Sequence, residues 1–178
     1  EKITCIGAPK LSSVKNYTSS VKINWNKVSS ADGYYVYRKG EKGSWKQIAK
    51  VKGGSKVSYT DKKVSCSETY QYTVRAYDGK VKGCYNNSGI KTIFLKNPAG
   101  LTAENSELGI VLNFNKVDAA QSYDIYRKTL EGEWEKISSV VGADATSFID
   151  LDVADGETYI YSIKALSGEY SSYFNKNG

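Results

Sequence analysis

The stretch YYVYRKGEKGSWKQI at residues 34–48 is repeated in similar form as YDIYRKTLEGEWEKI at residues 123–137. Both stretches carry an aromatic–x–aliphatic–Tyr–Arg–Lys run, a glycine turn and then Trp–x–x–Ile. Tyr37 and Tyr126 are 126 − 37 = 89 positions apart. The same shift aligns further residues without a gap: Trp25 with Phe114, Trp45 with Trp134, Tyr59 with Phe148, Asp61 with Asp150, Tyr70 with Tyr159 and Tyr72 with Tyr161. A register kept over this distance indicates that one small all-β unit has been duplicated.

Apolar and polar side chains alternate within each half. The alternation is clearest in four runs of apolar residues two positions apart: Val21–Ile23–Trp25, Tyr70–Tyr72–Val74–Ala76, Ile110–Leu112–Phe114 and Tyr159–Tyr161–Ile163–Ala165. This period places one face of a strand in a core and the other in water, as in an antiparallel sheet. Glycine-containing turns separate the runs, and no segment of similar length has helical periodicity. We therefore predict an all-β chain of two consecutive antiparallel β-sandwiches.

The two halves carry opposite net charge. Residues 1–97 contain 19 Lys and Arg against 6 Asp and Glu, a net charge of 19 − 6 = +13. Residues 98–178 contain 6 Lys and Arg against 13 Asp and Glu, a net charge of 6 − 13 = −7. Lys greatly outnumbers Arg in the first half, which favours diffuse attraction of anions over bidentate phosphate recognition. No sequence signature of specific nucleic-acid binding is present.

The chain lacks the residues on which most catalytic sites depend. Histidine is absent, which removes the commonest general base and metal ligand. The three cysteines share no CxxC spacing that would indicate zinc. The acidic stretch DLDVADGE at residues 150–157 departs from the ligand spacing of a calcium loop, and we interpret it as an acidic turn. We predict that the chain is not an enzyme and has no catalytic residue, cofactor or metal site. No apolar run long enough to span a bilayer is present, so membrane insertion is not expected.

The repeated pattern resembles the fibronectin type III family over nearly the whole chain, twice. The residues that carry the resemblance are the strand B aromatics Trp25 and Phe114, the strand C patterns Tyr34-x-Val36 and Tyr123-x-Ile125, and the segments 64–76 and 153–165 before and within strand F. The repeated sequence is most similar to modules of bacterial cell-surface proteins and secreted glycan-degrading enzymes. The resemblance implies immunoglobulin-like (fibronectin type III) sandwiches joined by a short linker.

The linker is predicted near Pro98, which lies 98 − 9 = 89 positions after Pro9. The predicted modules are residues 1–96 and residues 97–178. Shifted back by the same 89 positions, KITCI at residues 2–6 lies over KTIFL at residues 91–95. Residues 1–6 are therefore interpreted either as the tail of a preceding module or as an extra strand, and an excerpt from a longer array is favoured.

The resemblance also implies structural roles for individual residues. Tyr70 and Tyr159 hold the tyrosine-corner position, at which the hydroxyl binds back to the E–F loop. In this family the F–G turn, which Cys84 follows, and the start of strand A, which Cys5 precedes, lie at the same pole. If a disulfide forms, Cys5–Cys84 is therefore the expected pair and Cys66 stays a thiol. Three thiols without a disulfide are the favoured alternative.

The aromatic residues of the repeated stretch are the candidate ligand-binding residues: Tyr35, Tyr37, Trp45, Tyr126 and Trp134. They would form a stacking platform for sugar rings. The interpretation favoured by the sequence is structural, with each Trp packing across its hairpin on Tyr37 or Tyr126, because the Trp persists in both halves while the surrounding charges invert. Because Tyr35 becomes Asp124 in the second half, a platform that includes it belongs to the first half alone.

Two functions follow as expectations. The first is a non-catalytic spacer and interaction scaffold, extracellular or at the cell surface, whose partners are other domains of the same polypeptide. The second is an adhesion module that binds carbohydrate or an anionic cell-wall polymer through the basic, aromatic surface of the first half.

Overall fold

The computed structural model describes residues 6–178, and this part of the chain consists of strands and loops. No helix capable of crossing a bilayer occurs in it. The strands of the first half are β1 (Leu11–Tyr17), β2 (Ser20–Trp25), β3 (Gly33–Gly40), β4 (Lys46–Lys52), β5 (Ser58–Asp61), β6 (Thr69–Asp78), β7 (Val81–Lys82) and β8 (Ile90–Ile93). Those of the second half are β9 (Thr102–Ser106), β10 (Gly109–Asn113), β11 (Ser122–Thr129), β12 (Glu135–Val141), β13 (Ser147–Asp150), β14 (Tyr159–Ser167) and β15 (Tyr170–Ser171).

Each half forms two antiparallel sheets, and the strand order is the same except for β8, which has no counterpart among the strands of the second half. In the first half, β1-β2-β5 is one sheet, and β4-β3-β6-β7, with β8 also paired to β6, is the other. In the second half the sheets are β9-β10-β13 and β12-β11-β14-β15. The predicted fold class is confirmed: each half is an all-β unit whose two antiparallel sheets have the strand arrangement of an immunoglobulin-like sandwich. The chain divides into two compact units between Phe94 and Leu95, two residues before the predicted boundary.

Alternate residues of the strands close the core of each unit. In the first unit, Trp25 packs edge-on against Tyr34 with ring centroids 5.3 Å apart, and both side chains are buried. The Tyr34 hydroxyl accepts from the Val28 amide and donates to the Gly54 carbonyl. Phe114 and Tyr123 repeat the ring pair in the second unit at 5.0 Å. Burying these rings removes large apolar areas from water, while the tyrosine hydroxyl keeps its hydrogen bonds.

A buried ion pair connects the two sheets of the first unit. The Arg38 guanidinium of β3 lies 2.7 Å from the Asp61 carboxylate of β5, and the Tyr72 hydroxyl of β6 donates to the same carboxylate at 3.0 Å. The Lys63 amide donates to the other carboxylate oxygen. Desolvation acts to lower the pKa of Arg38, but the hydrogen bond and charge of Asp61 outweigh it and the pKa is raised. A charge this buried requires all of these partners.

The second unit repeats the network residue for residue. Arg127 lies 2.8 Å from Asp150, and the Tyr161 hydroxyl donates to that carboxylate at 2.8 Å. The Asp152 amide donates to its other oxygen. The acidic stretch at residues 150–157 therefore begins with a carboxylate already paired with an arginine and a tyrosine.

Candidate functional site: the aromatic–cation face of the first unit

One side of the five-stranded sheet of the first unit carries aromatic and cationic side chains. Tyr34 and Val36 of β3 point into the core, so Tyr35 points outward. The strand register places Tyr35 between Lys50 of β4 and Arg75 of β6. Tyr77 of β6 pairs with Lys82 of β7. We call Tyr35, Lys50, Arg75, Tyr77 and Lys82 together the aromatic–cation face.

The two lysines of this face lie over its tyrosine rings. The ring centroids of Tyr35 and Tyr77 are 4.8 Å apart. The Lys50 ammonium is 4.6 Å from the Tyr77 centroid and 5.4 Å from that of Tyr35, and the Lys82 ammonium is 5.2 Å from the Tyr35 centroid. Gly33 permits this packing, because a Cβ at that position would lie 2.6 Å from the Tyr77 hydroxyl oxygen. The rings hold the ammonium groups through cation–π attraction.

A second aromatic cluster adjoins the face. Tyr37 stacks on Tyr85 with centroids 5.5 Å apart, and the Arg75 guanidinium lies 5.7 Å from the Tyr85 centroid. Arg75 also donates to the Gly83 carbonyl. Trp45 is partly exposed and has the Lys39 ammonium 5.0 Å from its ring. Every ring of the predicted platform in the first unit is therefore in contact with another ring or a cation.

The cations of this surface have no carboxylate partner. Within residues 6–178, none of Lys39, Lys50, Arg75 and Lys82 takes part in an ion pair, and the ion pair of the first unit is the one between Arg38 and Asp61. Lys50 and Lys82 are exposed. Their charge is consequently available to an anion from solution.

The second unit lacks this face. Asp124 replaces Tyr35, and its carboxylate binds the Lys136 ammonium at 2.8 Å and accepts from the Ser139 hydroxyl at 2.7 Å. The shift of 89 further replaces Lys50 by Ser139, Tyr77 by Leu166 and Lys82 by Ser171. Arg75 is replaced by another cation, Lys164, which pairs with Asp124 in the strand register. The second unit therefore has a carboxylate among its cations, whereas the cations of the face in the first unit take part in no ion pair among the described residues.

The adjoining cluster, in contrast, is present in both units. Tyr126 and Trp134 both contact Phe174, at centroid distances of 4.8 and 5.3 Å, and the Lys128 ammonium lies 5.6 Å from Trp134. Phe174 aligns with Tyr85. These residues fit a structural role. The ring contacts given by the structure are those of Tyr37 with Tyr85 and of Tyr126 and Trp134 with Phe174, and the packing of each tryptophan on Tyr37 or Tyr126 stays a prediction.

The predicted ligand residues thus fall into separate groups. Tyr35 and Tyr37 belong to β3 of the first unit, and Trp45 lies directly before β4, while Tyr126 and Trp134 belong to the other unit. Five residues that contribute to this surface were not among the candidates from the sequence: Lys50, Arg75, Tyr77, Lys82 and Tyr85. The repeat could have identified Tyr85, because the shift that aligns Trp45 with Trp134 also aligns Tyr85 with Phe174.

The corner tyrosines make the contacts that their position implies. The Tyr70 hydroxyl accepts from the Ser65 amide at 2.9 Å, and the Tyr159 hydroxyl accepts from the Ala154 amide at 3.1 Å. Each ring also lies under an arginine, Arg38 or Arg127, at 4.9 Å. These bonds fix the loops that follow β5 and β13.

The cysteine pairing stays a prediction, because Cys5 lies outside the described residues. Cys84 is exposed, and its amide donates to the carbonyl of Ile6 at 3.3 Å. The buried Ile6 therefore lies beside the segment that carries Cys84. No cluster of three or more potential metal ligands occurs within residues 6–178.

Comparison with known proteins gives partial matches. No family model matches the chain. It is 36% identical over 70 residues to an amylopullulanase of Thermoanaerobacterium saccharolyticum, covering 39% of this chain and 5% of that protein. It is 38% identical over 61 residues to a poly(3-hydroxybutyrate) depolymerase of Ralstonia pickettii, covering 34% and 11%. The chain therefore spans only a small part of these curated relatives.

Two solved structures of tandem modules are also similar. A two-domain fibronectin type III segment of chicken tenascin matches 94% of this chain and 96% of that chain, with 16% identity and a TM-score of 0.47. The FN1–FN3 domains of chicken CNTN1 match 96% and 66%, with 15% identity and a TM-score of 0.44.

Replacing Trp45 by Ala is expected to lower the free energy of unfolding of the first unit by about 1–2 kcal/mol, because a partly buried ring and its contact with Lys39 are lost. Chemical denaturation followed by circular dichroism measures the change. Trp134→Ala is the matched variant in the second unit and should cost a similar amount. A first unit that is unaffected by Trp45→Ala would contradict the structural role of this tryptophan.

Proposed function

We propose that this chain, a tandem pair of fibronectin type III-like sandwiches, is a non-catalytic spacer and interaction scaffold within a larger secreted or cell-surface bacterial protein. The observation that carries the proposal is the duplication of a complete supporting structure. Each unit has its own aromatic core and its own buried Arg–Asp–Tyr network. The partners of the scaffold are other domains of the same polypeptide.

The partial matches support a role as an accessory module. The two curated relatives carry enzyme names, yet the chain corresponds to 5% and 11% of their lengths. A segment of that size accompanies an active domain more readily than it constitutes one. The extracellular or cell-surface location belongs to the same proposal.

The aromatic–cation face favours a second candidate function, binding of carbohydrate or an anionic cell-wall polymer by the first unit. Its support is the set of cations without carboxylate partners, of which Lys50 and Lys82 are held over tyrosine rings. The second unit, with Asp124 paired to Lys136 at the corresponding place, would not share this activity. Specific nucleic-acid binding and membrane insertion are not part of the proposal.

A hydrolase screen tests the non-catalytic assignment. We expect the purified chain to give no turnover above the buffer rate on a panel of polysaccharides, chromogenic glycosides and carboxylic esters, because no histidine is available as a general base. The same chain unfolded by heat beforehand is the control. Turnover that the folded chain shows and the unfolded chain lacks would overturn the assignment.

A further inference from the structure

We propose that the aromatic–cation face of the first unit binds an acidic polysaccharide, one whose sugars carry carboxylate or sulfate groups. The tyrosines of the face position the cations and do not stack on the sugar rings. This inference rests on the second candidate function above and narrows its ligand from any carbohydrate or anionic cell-wall polymer to acidic polysaccharides.

The tyrosine rings are already covered by protein. Tyr77 is 6% exposed, and Lys50 and Lys82 lie over the rings of the face. Stacking on a neutral sugar requires an open aromatic surface, which would have to be uncovered first by moving the lysines away. The groups that meet an arriving ligand are therefore the ammonium heads, which are exposed.

Cation–π contact also prepares the lysines for binding. A free lysine side chain has a flexible four-carbon stem, and fixing it on a ligand costs conformational entropy. Lys50 contacts two rings at once, at 4.6 and 5.4 Å. Part of that entropy has thus been lost before the ligand arrives, so the entropic cost of association is smaller.

The same features disfavour nucleic acid as the ligand. Single-stranded nucleic acid gains much of its affinity from bases that stack on open aromatic rings. Here Tyr37 is stacked on Tyr85, and Tyr35 is covered by two ammonium groups. Lysine point charges suit the separate anionic groups of a polysaccharide, whereas bidentate phosphate recognition favours arginine forks.

The decisive variant removes both lysine charges while the rings stay in place. Lys50→Gln/Lys82→Gln is expected to weaken binding to polygalacturonate and to dextran sulfate by about tenfold. The control Lys15→Gln/Lys62→Gln removes the same charge from exposed positions on β1 and after β5, and should change affinity by about twofold or less. Binding is measured by isothermal titration calorimetry at two salt concentrations, and thermal unfolding confirms that each variant is folded.

Substitutions at Tyr35 test whether binding depends on the uncompensated positive charge of the face. Tyr35→Phe keeps the ring and should bind like the parent chain. Tyr35→Asp introduces the residue found at position 124 of the second unit and should weaken binding as much as the lysine double variant, because a carboxylate would neutralise the neighbouring ammonium groups.

Four results would overturn the inference. Equal weakening in the two lysine double variants would show that only net charge matters, and neutral dextran bound as tightly as polygalacturonate would show ring stacking. A single-stranded oligonucleotide bound more tightly than either polysaccharide would assign the face to nucleic acid. Absence of binding to every polymer would remove the second candidate function as well, while leaving the spacer proposal intact. Binding to dextran sulfate alone would support the inference and select sulfate over carboxylate.

Discussion

Replacing Arg38 by Met is expected to lower the free energy of unfolding of the first unit by about 3–5 kcal/mol. Methionine keeps most of the apolar stem of the side chain but removes the guanidinium that lies 2.7 Å from Asp61. Asp61 is 2% exposed and would retain only the Tyr72 hydroxyl and the Lys63 amide as partners. A buried carboxylate without its countercharge is among the most destabilising features that one substitution can create.

Hydrogen exchange measured by mass spectrometry reports on the peptides of each unit separately and provides the test. Exchange should accelerate throughout β2, β3, β5 and β6, while the peptides of the second unit stay protected as in the parent chain. Arg127→Met should accelerate exchange in the second unit and leave the first unit protected. Lys62→Met is the control, because it removes an exposed charge directly after Asp61. It should change the free energy of unfolding by about 0.5 kcal/mol or less. Arg38→Met costing no more than Lys62→Met would refute the importance of the ion pair, and loss of protection in both units would contradict the scaffold of self-contained modules.

The fold was predictable because its two strongest signals are local and repeated. Alternation at Val21, Ile23 and Trp25 identifies a strand with one buried face, and all three side chains are indeed buried. The duplication then tests that prediction within one sequence, since Leu112 and Phe114 are buried in the second unit as well. Both signals arise from hydrophobic burial, which a sequence pattern expresses directly.

The aromatic–cation face could be predicted only in part, because it depends on strand register. Tyr35 was identified from the repeated stretch, but its contact with Lys50 depends on how β3 pairs with β4. That pairing contains an irregularity between Val36 and Tyr37, so that Val36 pairs with Ala49 and Tyr37 with Gln47. A shift of one residue exchanges the faces of a strand, and no sequence feature marked its position.

The buried ion pair was missed for a different reason. Asp61 and Asp150 were recognised as repeated residues, yet an aspartate at the end of a strand is usually explained by the following turn. Its arginine partner is 61 − 38 = 23 positions away on a strand of the opposite sheet. The repetition of Arg, Asp and Tyr at one fixed offset was the available signal, but repetition alone does not say which of the repeated residues are in contact.

Alkaline pH is expected to destabilise both units through the tyrosines of these networks. Burial, followed by the charge of Asp61 and its hydrogen bond, raises the pKa of Tyr72 far above its ordinary value of about 10. The pKa of Tyr161 is raised as well, by desolvation and by its hydrogen bond to Asp150. Above pH 10 the unfolded chain therefore releases protons that the folded chain retains. The free energy of unfolding is highest below pH 10 and falls as the pH rises, by about 1.4 kcal/mol per pH unit for a tyrosine that stays protonated in the folded state.

Tyr72→Phe isolates this effect within the first unit. At neutral pH the variant should be less stable by about 1 kcal/mol, since the hydrogen bond to Asp61 is lost. Above pH 10 its stability should fall less steeply than that of the parent chain, so the difference between the two narrows and then reverses sign. Urea denaturation at a series of pH values from neutral to strongly alkaline measures both slopes, and the second unit serves as the internal control because its Tyr161 is unchanged. Parallel pH profiles for Tyr72→Phe and the parent chain would mean that Tyr72 ionises as readily in the folded unit as in the unfolded one, which is incompatible with a hydroxyl buried against the Asp61 carboxylate.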